Sequence, residues 1–81
     1  MTHLQLSHPW RWHRTRDVLE VGVDLTEAEA RQLVRAGRAR DVADVIGGPV
    51  KGWYHVPLSG GKTAKVRGAA AAVAALREDA W

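Results

Sequence analysis

The amino-acid sequence predicts a small α+β protein, a single domain made of two units that are each a β-hairpin followed by a helix. Segments of alternating polar and apolar residues precede two segments with helical character, over residues 26–37 and 69–81. A Gly-Gly-Pro sequence at 47–49 lies between the two halves and interrupts both periodicities. We therefore divide the domain into residues 1–46 and 49–81.

The N-terminal segments predict the first hairpin. The sequence THLQLS alternates as a half-buried strand does, and Pro9 ends that strand or confines it to an edge. The sequence RDVLEVGVDL predicts a second strand, in which Gly22 permits a bulge or a bend. We expect the loop between these strands to contain Trp10 and Trp12.

The clearest local signal is a capped helix after the first hairpin. Thr26 is a favourable N-cap, Glu29 completes a capping box, and Leu25 occupies the hydrophobic-staple position. The helix should begin at Glu27 and end before Gly37, which suits the C′ position. The apolar residues that share one stripe of this helix are Ala30, Leu33 and Val34. The following sequence RARDVADVI adds either a short strand or a further turn.

The C-terminal half predicts a second hairpin and a second helix. The sequences KGWYHVPL and KTAKVR form strands joined by a turn at Ser59-Gly60-Gly61. In the second strand, Ala64 and Val66 face inward, whereas the outward residues are Thr63, Lys65 and Arg67. The sequence GWYHV is expected to supply core, with Trp53 and Tyr54 on opposite faces of the strand.

The sequence AAAAVAALREDAW after Gly68 strongly favours a helix. The residues predicted to share its apolar face are Ala69, Val73, Leu76 and Ala80. Alanines cover most of the remaining circumference, which suits close packing between subunits or an ordinary surface helix. Glu78 and Asp79 lie where the helix dipole disfavours negative charge. This position suggests that the EDAW tail docks on a neighbouring subunit.

Length and composition limit the core and the possible locations. A chain of 81 residues is expected to bury about 60–65% of its unfolded surface. Much of its apolar content is alanine, so partner contacts and homo-oligomerisation are expected to add stability. The absence of cysteine excludes disulfides and thiolate metal sites. No apolar run has signal-peptide or membrane-spanning length, so we expect a protein made and kept in the cytoplasm, without membrane contact.

The motifs that could support catalysis or cofactor binding are incomplete. GGKT at 60–63 resembles part of a phosphate-binding loop, but the pattern requires glycine where Val56 stands. The four histidines lack the spacing typical of a metal site. Ser7 and Ser59 are not in a nucleophile-elbow sequence. We therefore expect no enzyme activity, no cofactor and no metal.

Tryptophans and basic residues suggest binding. Two stretches without acidic residues, 1–16 and 45–77, contain eight of the twelve lysines and arginines of a chain whose net charge is +3. The basic residues of these stretches could bind phosphate groups or an acidic partner protein. Alternatively, they are ordinary solvated surface residues. The sequence WRW at 10–12 suits stacking on bases or filling a partner's pocket, and it equally suits covering a small core.

The sequence DVLEVGVDLTEAEARQLVRAGRARDV at 17–42 resembles a short module common in small proteins of tailed-phage structural operons, including the N-terminal domain family of the Mu-like prophage FluMu. The residues that match its pattern are Leu25, Ala30, Leu33, Gly37 and Ala39. The chain departs from the pattern by carrying HPWRWHR where a short glycine turn is common. Residues 52–76 are similar to hairpin-helix tails from the same phage context.

The resemblance implies a virion structural or assembly protein, such as a capsid-decorating, head-completion or head-tail joining subunit. Its partners would be capsid or head-tail proteins and its own copies, and its location the virion. The expected partner-binding residues are Trp10, Arg11, Trp12 and Trp81. The alternative is a small basic regulator that binds nucleic acid. The residues expected to contact nucleic acid are Arg14, Arg16, Lys62, Lys65 and Arg67.

Overall fold

The computed structural model describes residues 1–79 and contains two antiparallel sheets together with helices, which confirms the α+β prediction. The chain divides into two compact units, of which the first is Met1–Val42 and the second starts at Ala43. This division falls before the Gly-Gly-Pro sequence, at the first residue of a short helix that follows the last strand of the first unit. Each unit has its own sheet.

The sheet of the first unit has three strands. Strand β1 (His3–Leu6) pairs antiparallel with β2 (Val18–Glu20) on one side and with β3 (Ala39–Asp41) on the other. The pairing of β1 with β2 confirms the first hairpin. Strand β2 is shorter than predicted, because the chain turns after Val21 at Gly22, which has a φ of 91°.

Helix α1 (Glu27–Arg35) begins where the sequence predicts. The Glu29 amide donates to the Thr26 hydroxyl at 3.1 Å, and the Thr26 amide donates to the Glu29 carboxylate at 2.9 Å, so the capping box is complete. At the other end, Gly37 has a φ of 74°, and the Arg38 amide donates to the Leu33 carbonyl at 2.9 Å. Thr26 and Gly37 therefore set the two ends of α1.

The core of the first unit lies between α1 and the sheet. Its buried residues are Leu4, Leu6, Leu19, Leu25, Ala30, Leu33 and Ala39. Val34, which the helical stripe also includes, is 36% exposed at the edge of the stripe. Strand β3 and helix α2 (Val42–Ile46) both arise from the sequence RARDVADVI, so both alternatives for that segment occur. This half therefore adds a third strand and a short helix to the predicted hairpin and capped helix.

The second unit contains the second predicted hairpin and the alanine-rich helix. Strand β4 (Trp53–Pro57) pairs antiparallel with β5 (Thr63–Arg67), and a single 3-10 turn at Ser59–Gly61 lies between them. Gly60 has a φ of 69°, which a glycine adopts at little cost and which the turn requires. The glycines of GGKT thus belong to a hairpin turn.

Helix α3 (Ala69–Asp79) packs against both strands of the second hairpin. Its buried residues are Ala72 and Leu76, whereas Ala69 is exposed and Val73 half-buried. The prediction that Leu76 faces inward is therefore confirmed, whereas the prediction that Ala69 shares its face was wrong. With so few large apolar side chains on α3, packing on the hairpin sets which face turns inward. Ala80, assigned to the same face, lies outside the described residues.

Candidate functional site

The loop of residues 7–17, here called the tryptophan loop, joins β1 to β2 and is closed by backbone hydrogen bonds. The Trp10 and His13 amides donate to each other's carbonyls at 3.1 and 2.9 Å, which places Arg11 and Trp12 at the tip of a two-residue turn. Arg11 has a φ of 54°. A non-glycine residue in this region costs about 1–3 kcal/mol and persists only where its surroundings hold it.

Trp10 and Arg11 attach the tip of the loop to the first unit. Trp10 is half-buried and packs against the core, and its ring stacks on His13 with centroids 6.1 Å apart. The Arg11 guanidinium lies 4.1 Å from the centroid of the Trp10 ring and forms an ion pair with Glu29 of α1. These contacts hold Arg11 in its unfavourable backbone conformation.

Trp12 extends away from the protein. It is 77% exposed, and its ring lies 5.1 Å from that of His13 at an interplanar angle of 39°. Exposed indoles of this kind are enriched at protein interfaces, because one side chain buries a large area on binding. Of the two tryptophans in WRW, the structure therefore places one against the core and the other outward.

A pocket of about 350 Å³ lies beside the tryptophan loop, between Trp10 and α1; we call it the α1 groove. The apolar residues that line it are Trp10, Leu33 and Ala36. The polar residues that line it are Arg11, Glu29, Gln32 and Arg38. Because Arg11 is already paired with Glu29, Arg38 supplies the net positive charge of the lining. This combination suits a segment that carries an apolar side chain next to an acidic group.

Glu29 links the start of α1 to the tip of the tryptophan loop through its charge. The Thr26 backbone N–H, the Thr26 hydroxyl and the nearby Arg11 guanidinium lower the pKa of Glu29, and partial desolvation opposes them. Glu29 therefore remains ionised and takes part in both the helix cap and the ion pair with Arg11. The helix start and the loop tip are coupled through one carboxylate.

The basic residues predicted to contact nucleic acid lie in different units. Arg14 and Arg16 belong to the tryptophan loop, where the Arg14 amide donates to the Asp17 carboxylate at 2.9 Å. The others, in the second unit, are Lys62, Lys65 and Arg67, and all three are exposed. Lys65 and Arg67 lie close to Trp53, a residue that the sequence had assigned to the core. Alternation along β4 and β5 shows which residues share a face, but it does not show which residues lie opposite each other. The proximity of Trp53 to Lys65 and Arg67 could therefore be predicted only if the strand register were known.

The remaining predicted features are placed as follows. Trp81 lies outside the described residues. Among residues 1–79, no group of three metal-binding side chains is found, and no helix has the length and apolar character needed to cross a membrane. Comparisons of the chain with family models, with curated proteins and with solved structures found no match.

Proposed function

We propose that this protein is a structural or assembly subunit of a tailed-phage particle that binds a capsid or head-tail protein through the tryptophan loop. The phage context rests on the sequence resemblance of residues 17–42. The binding mode is supported by one observation above others, the 77% exposure of Trp12 at the tip of an anchored turn. The proposed role is binding without catalysis and requires no cofactor.

The geometry of the loop favours tight binding. An indole buries about 150–250 Å² when it is fully covered, and tryptophan is enriched among residues that dominate binding energy. Because Trp10 and the Arg11–Glu29 ion pair already hold the turn, little conformational entropy is lost when a partner binds. The adjacent α1 groove would receive an apolar side chain from an acidic segment of the partner.

The substitution Trp12→Ala tests the proposed docking mode. We expect it to weaken binding to purified capsid or head-completion protein about 30-fold, which corresponds to a binding hot spot of about 2 kcal/mol. Isothermal titration calorimetry or co-sedimentation with particles measures the affinity. Val23→Ala is the matched control, since Val23 is 72% exposed in the same unit. Unchanged binding by Trp12→Ala would contradict the proposal, and self-association lost in this variant would indicate that a second copy is the partner.

A second candidate function is nucleic-acid binding by a small basic regulator. It is favoured by the position of Lys65 and Arg67 beside Trp53, and by the lack of acidic residues between Asp44 and Glu78. Binding that falls steeply with salt would support it. Trp12→Ala should leave such binding unchanged, which separates the two functions.

A further inference from the structure

The second hairpin presents one face that is aromatic and basic. Strand alternation places Trp53, His55 and Pro57 of β4 on the same side as Thr63, Lys65 and Arg67 of β5. The register pairs Trp53 with Arg67 and His55 with Lys65 directly across the strands. The opposite side is more buried and includes Val56, which is fully buried. We call the first side the outward face.

Trp53 lies next to two cations on the outward face. The Lys65 Nζ is 5.0 Å and the Arg67 guanidinium carbon 5.5 Å from the centroid of its ring. No carboxylate among residues 1–79 pairs with either cation. His55 supplies a second ring on β4, about 7 Å along the strand from Trp53. The face therefore combines ring surfaces with positive charge that is not neutralised locally.

We propose that the outward face binds single-stranded nucleic acid, with a base stacked on Trp53 and the adjacent phosphates bound by Lys65 and Arg67. This inference rests on the second proposed function and specifies its ligand. Base stacking on an indole and cation–phosphate contacts are the two interactions that single-strand binding surfaces combine. In a duplex the bases already stack on each other, so Trp53 would have no ring to contact.

Trp53 is half-buried, and a base would have to replace its existing cation–π contacts. At exposed sites such contacts are weak, so the Lys65 and Arg67 side chains can move from the indole to nearby phosphates when a base replaces them. Because a stacked base places its own phosphates within reach of the same side chains, both interactions form together. Binding of this kind tolerates many sequences, since every base has a π-face.

Fluorescence anisotropy with the full chain tests this inference. Labelled oligo-dT, oligo-rU and a hairpin duplex are titrated at low salt, and we expect both single strands to bind more tightly than the duplex. The ratio of the affinities for oligo-dT and oligo-rU shows whether single-stranded DNA or RNA is preferred. Trp53→Thr, which keeps a strand-forming residue, should weaken single-strand binding at least about 5-fold. Trp53→Phe should retain most of the affinity.

Charge substitutions test whether nucleic acid binds at the outward face, even if the Trp53 variants fold poorly. Lys65→Gln should reduce the slope of log K against log salt by about 0.7 for a single strand. Arg77→Gln is the matched control, because Arg77 is an exposed cation of α3 in the same unit. Equal effects of the two variants would overturn the assignment to the outward face. Equal or tighter duplex binding would overturn the single-strand inference alone, whereas no binding to any probe would reject nucleic-acid binding altogether.

Discussion

Trp10 and Trp12 show how neighbouring residues of one type acquire different roles. The WRW spacing alone suited stacking on bases, filling a partner's pocket or covering a small core. In the structure Arg11 and Trp12 form the tip of a turn, so Trp10 packs against the core while Trp12 is exposed. The sequence identified the pair as important, but the turn that separates their environments depends on how residues 7–17 close between two strands.

Glu29 gives the protein an acid-sensitive helix start. Its pKa is lowered in the folded state, chiefly by the Thr26 backbone N–H. A lowered folded pKa contributes stability that is fully present above the ordinary glutamate pKa of about 4.3. This contribution is lost as the pH falls through the lower pKa of the folded protein. We expect Glu29→Gln to reduce this loss between neutral and acidic pH, as measured by urea unfolding at each pH.

The control for this prediction is Glu27→Gln. Glu27 pairs with Arg31 at 2.8 Å on the exposed side of α1, whereas the capping box is formed by Thr26 and Glu29. This variant should retain the acid sensitivity of the natural protein. If Glu29→Gln lost stability with falling pH as steeply as the natural protein does, the cap carboxylate would not be the group responsible.

Helices α1 and α3 differ in how much of their structure is encoded locally. The ends of α1 follow from Thr26, Glu29 and Gly37, whose hydrogen bonds and backbone angles act within a few residues. The inward face of α3 was predicted correctly at Leu76 and wrongly at Ala69, because alanines cover most of the circumference of the helix. Its orientation is determined by packing against β4 and β5.

The C-terminal end of α3 is tied to the hairpin turn by Asp79. Its carboxylate accepts hydrogen bonds from the Ser59 amide and hydroxyl, both at 2.9 Å. This contact gives Asp79 a structural reason to stand at a helix end where the dipole disfavours it. The sequence had assigned that position to docking on a neighbouring subunit, a hypothesis that also involves Trp81, outside the described residues.

Substitution of the two adjacent acids should separate these effects. Asp79→Ala is expected to lower the free energy of unfolding by about 1 kcal/mol, because two hydrogen bonds to an exposed carboxylate are lost. Glu78→Ala should be neutral or slightly stabilising, since it removes a negative charge from the helix C-terminus and breaks no bond to Ser59. Equal destabilisation by both variants, measured by urea denaturation, would show that the Ser59 contact contributes nothing.

The whole molecule depends on few large buried side chains. The largest of its fully buried side chains among residues 1–79 are Leu4, Leu6, Val56 and Leu76. They are divided between two units, so neither core is large. A chain of 81 residues at roughly 0.1 kcal/mol per residue has a stability of about 8 kcal/mol.

A single cavity should therefore remove a large share of the stability. We expect Leu4→Ala to lower the free energy of unfolding by about 3 kcal/mol, because Leu4 is fully buried at the centre of the first sheet. Val50→Ala, at a position that is 61% exposed, should change it by less than about 0.5 kcal/mol. Thermal or urea unfolding measures both, and a small effect of Leu4→Ala would indicate that the first core is not limiting.

The candidate sites were partly predictable. The tryptophan loop and the basic residues of β5 could be read from composition and alternation. The α1 groove and the position of Trp53 beside Lys65 and Arg67 could not, because they bring together residues that are distant in the chain. Which residue lies opposite Trp53 depends on strand register, and the register depends on the whole hairpin.

Local chemistry accounts for the capped helix and the glycine turn at residues 59–61, because each depends on side chains or backbone angles that act over three or four neighbouring residues. Alternation along the chain indicated the strands of both hairpins and hence the α+β class. The pairing of β3 with β1, the inward face of α3 and the opposite environments of Trp10 and Trp12 emerge only when distant segments pack. Packing resolves these features because several local conformations have similar free energies until burial favours one of them.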